Sequence, residues 1–244
     1  MKWQVIAGAG LVLSSCIAIA IIKLDPRDTE VWDPVPAVVT ADPNQPPSDA
    51  VVLLGDTDDT FAWQAVSGGD MPWSVADGVL TVEPGTGDIR TREHFCDMQL
   101  HIEWRVPEPE PDMDGQARNN SGVFLQERYE IQVLDSWQNR TYSNGQAGAV
   151  YKQTMPLVNA TRPPGQWQVY DIVYRAPRFE SEQVIEPAHV TVLHNGVVIH
   201  HYTEIKGNTV FIGEPEYEAH TCAPLRLQDH RDRVSYRNIW VRPL

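Results

Sequence analysis

The amino-acid sequence predicts an all-β fold, an antiparallel sandwich of the jelly-roll kind. Short runs with the apolar/polar alternation of strands recur from about residue 51 to the C-terminus, and helix signals are scarce. Gly, Pro and Asn separate these runs, as turns require. In HVTVLHNGVVIHH the Asn195-Gly196 pair sits between two alternating stretches, the strongest short-range hairpin signal.

The segments ahead of that domain have a different character. Met1 and Lys2 precede a nearly unbroken apolar run from Val5 to Ile22, which reads as an export signal. Leu13-Ser14-Ser15-Cys16 resembles the lipobox of bacterial lipoproteins, whose Cys is lipidated; the run is also long enough to span a bilayer as an uncleaved helix. Residues 1–24 are therefore expected to be a signal peptide with a lipidated Cys16 or a membrane anchor. Either tethers the protein outside the cytoplasm, on the periplasmic or cell-surface side of a bacterial envelope. Residues 25–50, rich in Pro, Asp and Thr and without sustained periodicity, read as a linker. Residues 51–244 then form one β domain, since sandwiches of about 200 residues often do so.

The formal net charge is −14 and the pI about 4.9, so the field around the molecule repels phosphate backbones and argues against nucleic acid. With Cys16 assigned to the anchor, Cys96 and Cys222 remain as a pair in an oxidising compartment, where a disulfide and two free thiols are both open.

The strands can be justified in order. WSVADGVLTVEPG places a turn at Asp77-Gly78 between two short apolar runs. GDIRTREHF, MQLHIEWRV, GVFLQERYEIQVLD, WQVYDIVYRAP, AHVTVLHNGVVIHHYTEI, APLRLQDH and VSYRNIWVRP follow. Three of them share a split. Leu100, Ile102 and Trp104 oppose Gln99, His101, Glu103 and Arg105; Tyr129, Ile131 and Val133 oppose Glu130 and Gln132; and Arg226, Gln228 and His230 share one side of the third. One such face is ordinary solvated surface. Three neighbouring ones would make a patch of acids, amides, imidazoles and guanidinium suited to a polyhydroxylated ligand.

Glu130 and Glu103 are the candidate acid or base, each with an ion-pair role to an arginine as its alternative. His230 is a base, a metal ligand or a surface imidazole. Asp135 is expected to cap the following turn, and Asn120-Ser121-Gly122 to form a tight turn with close backbone approach. No phosphate loop, His-Glu-x-x-His helix, Cys-x-x-Cys pair or Gly-x-Ser-x-Gly elbow is present.

Taken in order, GDIRTREHF, QLHIEWRVP, NNSGVFLQERYEIQVLDSW, NGQAGAVYKQ, PLVNATRPPGQWQVYDIVYRAPRF, PAHVTVLHNGVVIHH, PLRLQDH and YRNIWVRPL resemble the 3-keto-disaccharide hydrolase family, also described as 3-keto-glucoside 1,2-lyase and 3-keto-2-hydroxy-glucal hydratase. The resemblance covers about Val51 to Leu244 and implies a concanavalin A-like jelly roll in an exported or lipid-anchored protein. The activity it implies is cleavage of an oxidised oligosaccharide or glucoside. A base takes the C2 proton of a 3-keto sugar, the C1 substituent leaves, and water adds to the resulting 2-hydroxy-glucal.

Such chemistry calls for a carboxylate base and for Arg, His or a divalent metal ion beside the carbonyl oxygen. Glu103, Glu130, Gln132, Arg226, Gln228 and His230 match recurring positions of the family. The catalytic candidates are thus Glu130, Glu103 and His230, with Gln132, Arg226, Gln228, His101 and Asn120 as substrate-binding candidates. Where the family reads Gly-Asn-Ser-Gly this chain has Asn119-Asn120-Ser121-Gly122, an added side chain expected to narrow the groove. A conventional glycosidase with paired carboxylates and a non-catalytic carbohydrate-binding module are the rival readings.

Overall fold

The computed structural model describes residues 24–42, 45–57 and 60–244. Of the expected anchor, residues 1–23, with Cys16, lie outside them. The chain divides into two compact units, Met1–Val38 and Val39–Leu244. In the first, Asp25 caps a single 3-10 turn, Pro26–Thr29, accepting from Arg27 N at 3.0 Å.

Among its described residues the second unit holds fifteen strands: β1 Val51–Leu54, β2 Trp63–Ala65, β3 Ser74–Ala76, β4 Val79–Thr81, β5 Ile89–Thr91, β6 Met98–Arg105, β7 Asn120–Leu125, β8 Tyr129–Leu134, β9 Gln168–Arg175, β10 Arg178–Glu180, β11 Gln183–Glu186, β12 His189–His194, β13 Val197–Glu204, β14 Arg226–Leu227 and β15 Ser235–Pro243. Every pairing is antiparallel, and no α-helix occurs among the described residues.

The fold is the expected jelly-roll sandwich. One sheet of eight strands runs β13-β12-β9-β6-β15-β4-β3, with β1 on β15; the other, of five, runs β2-β5-β14-β7-β8. Both hairpins expected from Asp-Gly and Asn-Gly form. Asp77 and Gly78 take φ 53° and 71°, and Asn195 and Gly196 take 52° and 80°, the left-handed pair that a two-residue hairpin needs. The small hairpin of β10 and β11 was not expected; its residues, half-buried or exposed, carry no buried face to mark it.

The sheets meet over one apolar core that contains Trp63, Trp104, Tyr129, Leu100, Ile102, Ile131 and Ile172, all essentially inaccessible. Burying each such side chain stabilises the fold by about 1.5–3 kcal/mol before entropy is counted. Three tyrosines of the larger sheet tie it to the smaller one through their hydroxyls. Tyr170 donates to Gln132 O at 2.8 Å, Tyr174 to Gln126 Oε1 at 2.8 Å, and Tyr236 bonds Ser121 Oγ at 2.7 Å. Two of the three reach β7 or β8, so the strands that carry the candidate site are fixed from beneath.

Candidate active site

Strand β8 sends Tyr129, Ile131 and Val133 into the core, which turns Glu130 and Gln132 to the opposite side. There they line a cleft of about 290 Å³ with Asn120 and Phe124 of β7, Arg226 of β14, Gln228, His230, Tyr151, Thr209 and Phe211. The face is not solvated: Glu130 is 4 % exposed and Gln132 1 %. Segment 148–151 covers the outer edge of β8, with Gly148 N donating to Gln132 O at 2.8 Å and Tyr151 N to Glu130 O at 3.1 Å. Thr209 Oγ1 accepts from Glu130 N at 2.9 Å. No backbone group of Glu130 is left to compete for a ligand.

Burial pushes the Glu130 carboxyl up to about 8, against the pull of Arg226. The Gln132 amide holds it in place. With its nitrogen toward Glu130, that amide donates to Glu130 Oε1 at 3.1 Å and to Ser121 O at 2.9 Å. In the opposite orientation the amide oxygen would face Glu130 Oε1 and Ser121 O, both acceptors. Gly122 makes the space: a Cβ there would stand 2.6 Å from Glu130 Oε1 and 2.8 Å from Phe124 Cε2.

Arg226 lies flat on Phe124, 3.7 Å from the ring centroid, and donates to Asp88 Oδ2 at 2.6 Å and to Glu127 O at 3.2 Å. Its Nε is buried without a partner among the described residues, and so is Gln228 Oε1. Both residues line the cleft, but these two atoms face its wall and not its open space. Asn120, 5 % exposed, is held by its Nδ2 on Gln116 O at 2.9 Å and by Asp232 Oδ2, which accepts from its backbone N at 2.7 Å. His230 is exposed at the rim.

The structure separates residues that the sequence reading had grouped. Strand β6 pairs with β9 and β15 in the larger sheet, so Glu103 and His101 do not share a patch with Glu130. They form a network of their own. Glu103 accepts from Arg237 Nε at 2.6 Å and Asn238 Nδ2 at 3.0 Å, while His101 Nδ1 bonds Asp171 Oδ1 at 2.6 Å and its ring stacks on Trp240. Burial raises Glu103, but hydrogen bonds from His101, Asn238 and Arg237 outweigh it and hold the carboxyl at about 2. Burial likewise lowers His101, yet Asp171 and Glu103 carry it up to about 9. A carboxylate so strongly paired is a poor base, and Glu103 and His101 read as an ion-pair ladder on the sheet surface.

Two smaller expectations also change. Asn120-Ser121-Gly122 is the start of β7, not a turn; the close approach it foretold is that of Gly122 to Glu130. Asn119 stands at φ 52°, a left-handed position that suits Gly or Asn, and its Nδ2 donates to Pro107 O at 2.8 Å. Its side chain points away from the cleft wall and does not narrow it. Asp135 caps its turn as expected, Oδ1 accepting from Trp137 N at 3.1 Å, while its buried carboxylate also pairs with Arg118.

Phe124, Tyr151, Thr209 and Phe211 were not among the residues expected to line the cleft, nor was Asp88 expected as the partner of Arg226 behind it. Thr209 and Phe211 lie in an irregular stretch, where periodicity carries no information. Tyr151 bonds Tyr142 through the two hydroxyls at 2.7 Å, and Lys152 donates to Phe211 O at 2.8 Å. A divalent ion finds a poor donor set here. Among the described residues, Glu130 and His230 are the only carboxylate and imidazole lining the cleft, fewer than the three protein ligands of common divalent sites, and no group of three or more His, Cys, Asp or Glu side chains is arranged to hold a metal ion.

A buried carboxyl among polar groups, in a cleft on one face of a jelly-roll sandwich, fits the carbohydrate-active, glycosyl-hydrolase-like class to which the comparisons assign the chain. The chain belongs to the 3-keto-alpha-glucoside-1,2-lyase-like domain family, whose model matches residues 49–242. It is similar to a protein of known structure from Parabacteroides distasonis described as a candidate glycosyl hydrolase, at 44% identity over 92% of this chain and 99% of that one, with a TM-score of 0.88. A second such protein from the same organism shares 21% identity over 77% of this chain and 90% of its own, with a TM-score of 0.56, which speaks for the fold alone. The comparison with curated proteins gave no match.

Proposed function

We propose that the domain cleaves 3-keto-glycosides by elimination followed by hydration, with Glu130 as the base. The observation that carries this reading is a single carboxylate lining the cleft, nearly inaccessible and raised to about 8. Conventional glycosidases need two carboxyl groups across the scissile bond, whereas proton removal beside a ketone needs one base of near-neutral pKa. A site used for binding alone would have no use for a carboxyl held at that cost.

The ketone at C3 acidifies the C2 proton, which passes to the Glu130 carboxylate while the electron pair becomes an enolate. Arg226, which lines the cleft, supplies fixed positive charge for the enolate oxygen. The enolate then expels the C1 oxygen, which leaves as the aglycone hydroxyl with a proton from solvent, and a double bond forms between C1 and C2. Water adds at C1, losing a proton to solvent that replaces the one taken by the aglycone, and Glu130 returns its proton to C2. Gln132 holds the carboxyl, and the Gln228 amide lines the cleft as a polar contact for a sugar hydroxyl. On this reading the apolar N-terminal segment tethers the domain outside the cytoplasm, through Cys16 or an uncleaved helix.

Purified protein given a 3-keto-glucoside and, separately, its unoxidised parent tests the reading directly. Release of the aglycone from the keto sugar alone supports it; cleavage of the parent makes it a conventional glycosidase, and cleavage of neither a binding module. The pH profile should follow Glu130. The carboxyl is protonated and inactive below its pKa, so kcat/KM should rise with pH and level off above about 8. A flat profile from pH 5 to 9, or one that falls across it, would contradict the assignment.

Gly122→Ala offers a second check. The added methyl overlaps Glu130 Oε1 and Phe124, and one of them must move. Misplacing the base by about 1 Å should lower kcat/KM roughly 100-fold. Circular dichroism and melting would report whether the fold survives; unchanged kinetics in a folded variant would mean that the carboxyl position is unimportant.

A further inference from the structure

A second cleft, of about 340 Å³, opens beside the first and is lined by Gln64, Arg90, His94, Glu127 and Arg128 among others. The sheet register connects the two. Gln64 pairs with Arg90, Arg90 with Arg226, Arg226 with Phe124 and Phe124 with Glu130, so one row of side chains crosses all five strands. At about 4.8 Å per strand, Arg90 lies roughly 14 Å from Glu130 along that row. Arg226 donates to Glu127 O at 3.2 Å and forms the wall between the clefts.

The charge of this second cleft runs against the rest of the molecule. In a chain of net charge −14 it presents two guanidiniums and one carboxylate. Arg90 takes that carboxylate, bonding Glu127 Oε1 at 3.2 Å. Arg128 has only the backbone oxygen of Gln126, at 3.1 Å, and no carboxylate among the described residues. Beyond that one bond from Nη1, the Nη groups of Arg128 are uncommitted among the described residues. A planar fork with unused donors is suited to an anion with two or more oxygens.

We infer that this cleft is a second subsite, which takes an anionic sugar, carboxylated or sulfated, joined to the ring that reacts at Glu130. The inference rests on the proposed use of the Glu130 cleft for that ring. It assigns to the enzyme substrates whose remote residue carries negative charge, and it gives Arg128 a specificity role.

The test uses unoxidised probes, so that its result does not depend on the keto chemistry: a glucosyl-glucose disaccharide, the same compound with a carboxylate at C6 of the second ring, and the same with a sulfate there. Calorimetry on the whole protein should show at least one anionic probe bound about tenfold more tightly than the neutral one, less so as salt rises. Which anion is preferred decides between carboxylated and sulfated sugars. Arg128→Gln should bring the anionic-to-neutral ratio close to one, whereas Glu127→Gln, which frees Arg90, should raise it. Changes of opposite sign cannot come from general damage to the fold. Equal binding of all three probes, or an anion preference that persists in Arg128→Gln, would overturn the inference. A neutral 3-keto-glucoside cleaved normally under those outcomes would leave the proposed reaction standing.

Discussion

Glu130→Gln should lower turnover of a 3-keto-glucoside roughly 10²- to 10⁴-fold while leaving ligand binding largely intact. The amide keeps the shape of the carboxyl and fits the same space above Gly122, but it has no basicity at any pH of interest. Stability should move the other way. The folded carboxyl sits at about 8 against an ordinary 4.5, so between those values the native state holds a proton that the unfolded chain has released. Stability contributed by this group is therefore full below about 4.5 and is lost as pH rises through about 8. The amide carries no such charge, and the variant should exceed wild type at pH 9 by on the order of 2–4 kcal/mol in a denaturant titration, at roughly 1.4 kcal/mol per pKa unit before relaxation. A variant that is less active and more stable at high pH identifies a strained functional group. Retained turnover, or lost stability at every pH, would assign Glu130 to the framework.

The parts of this site that could be read from the sequence are those on regular strands. Alternation at Tyr129 to Val133 fixed the direction of Glu130 and Gln132, and the same rule placed Arg226 on the face of β14 that they share. It could not say which strands become neighbours. Strand β6 has a polar face of the same kind, yet it lies in the other sheet, because pairing is decided by connections some tens of residues long and not by the pattern within a strand. Nor could periodicity find Thr209 or Phe211, which cover the cleft from an irregular segment, or Asp88, whose link to Arg226 spans 138 residues. Nor does the pattern give the depth of burial. A run of Glu and Gln on one face reads as surface, and only the edge segment 148–151 and Thr209 make it interior.

Loss of the Cys96–Cys222 disulfide should be the largest single change in stability. The bond closes a loop with a sequence separation of 126, which takes in everything from β6 to β13. On the chain-entropy account a loop of that size is worth about 5 kcal/mol, and removal of native disulfides typically costs about 2–5 kcal/mol. The native geometry should nevertheless persist without it. The backbones on either side are already joined, Phe95 N donating to Ala223 O at 3.0 Å and Ala223 N to Phe95 O at 3.3 Å, and Arg226 keeps its place through Asp88 and Glu127. The effect therefore acts through the unfolded chain, which regains the freedom that the cross-link removes. A Cys96→Ser, Cys222→Ser double variant should melt roughly 5–15 °C lower, at about 2–4 °C per kcal/mol for a chain of this size, while its turnover per folded molecule at low temperature stays close to wild type. Mass spectrometry of unreduced peptides from the exported protein checks the premise, since two alkylatable thiols would refute it. An unchanged melting temperature in the double variant would instead mean that the unfolded chain is already confined near its native contacts. A loss of turnover equal to the loss of stability would mean that the bond shapes β14 and the Arg226 side chain directly.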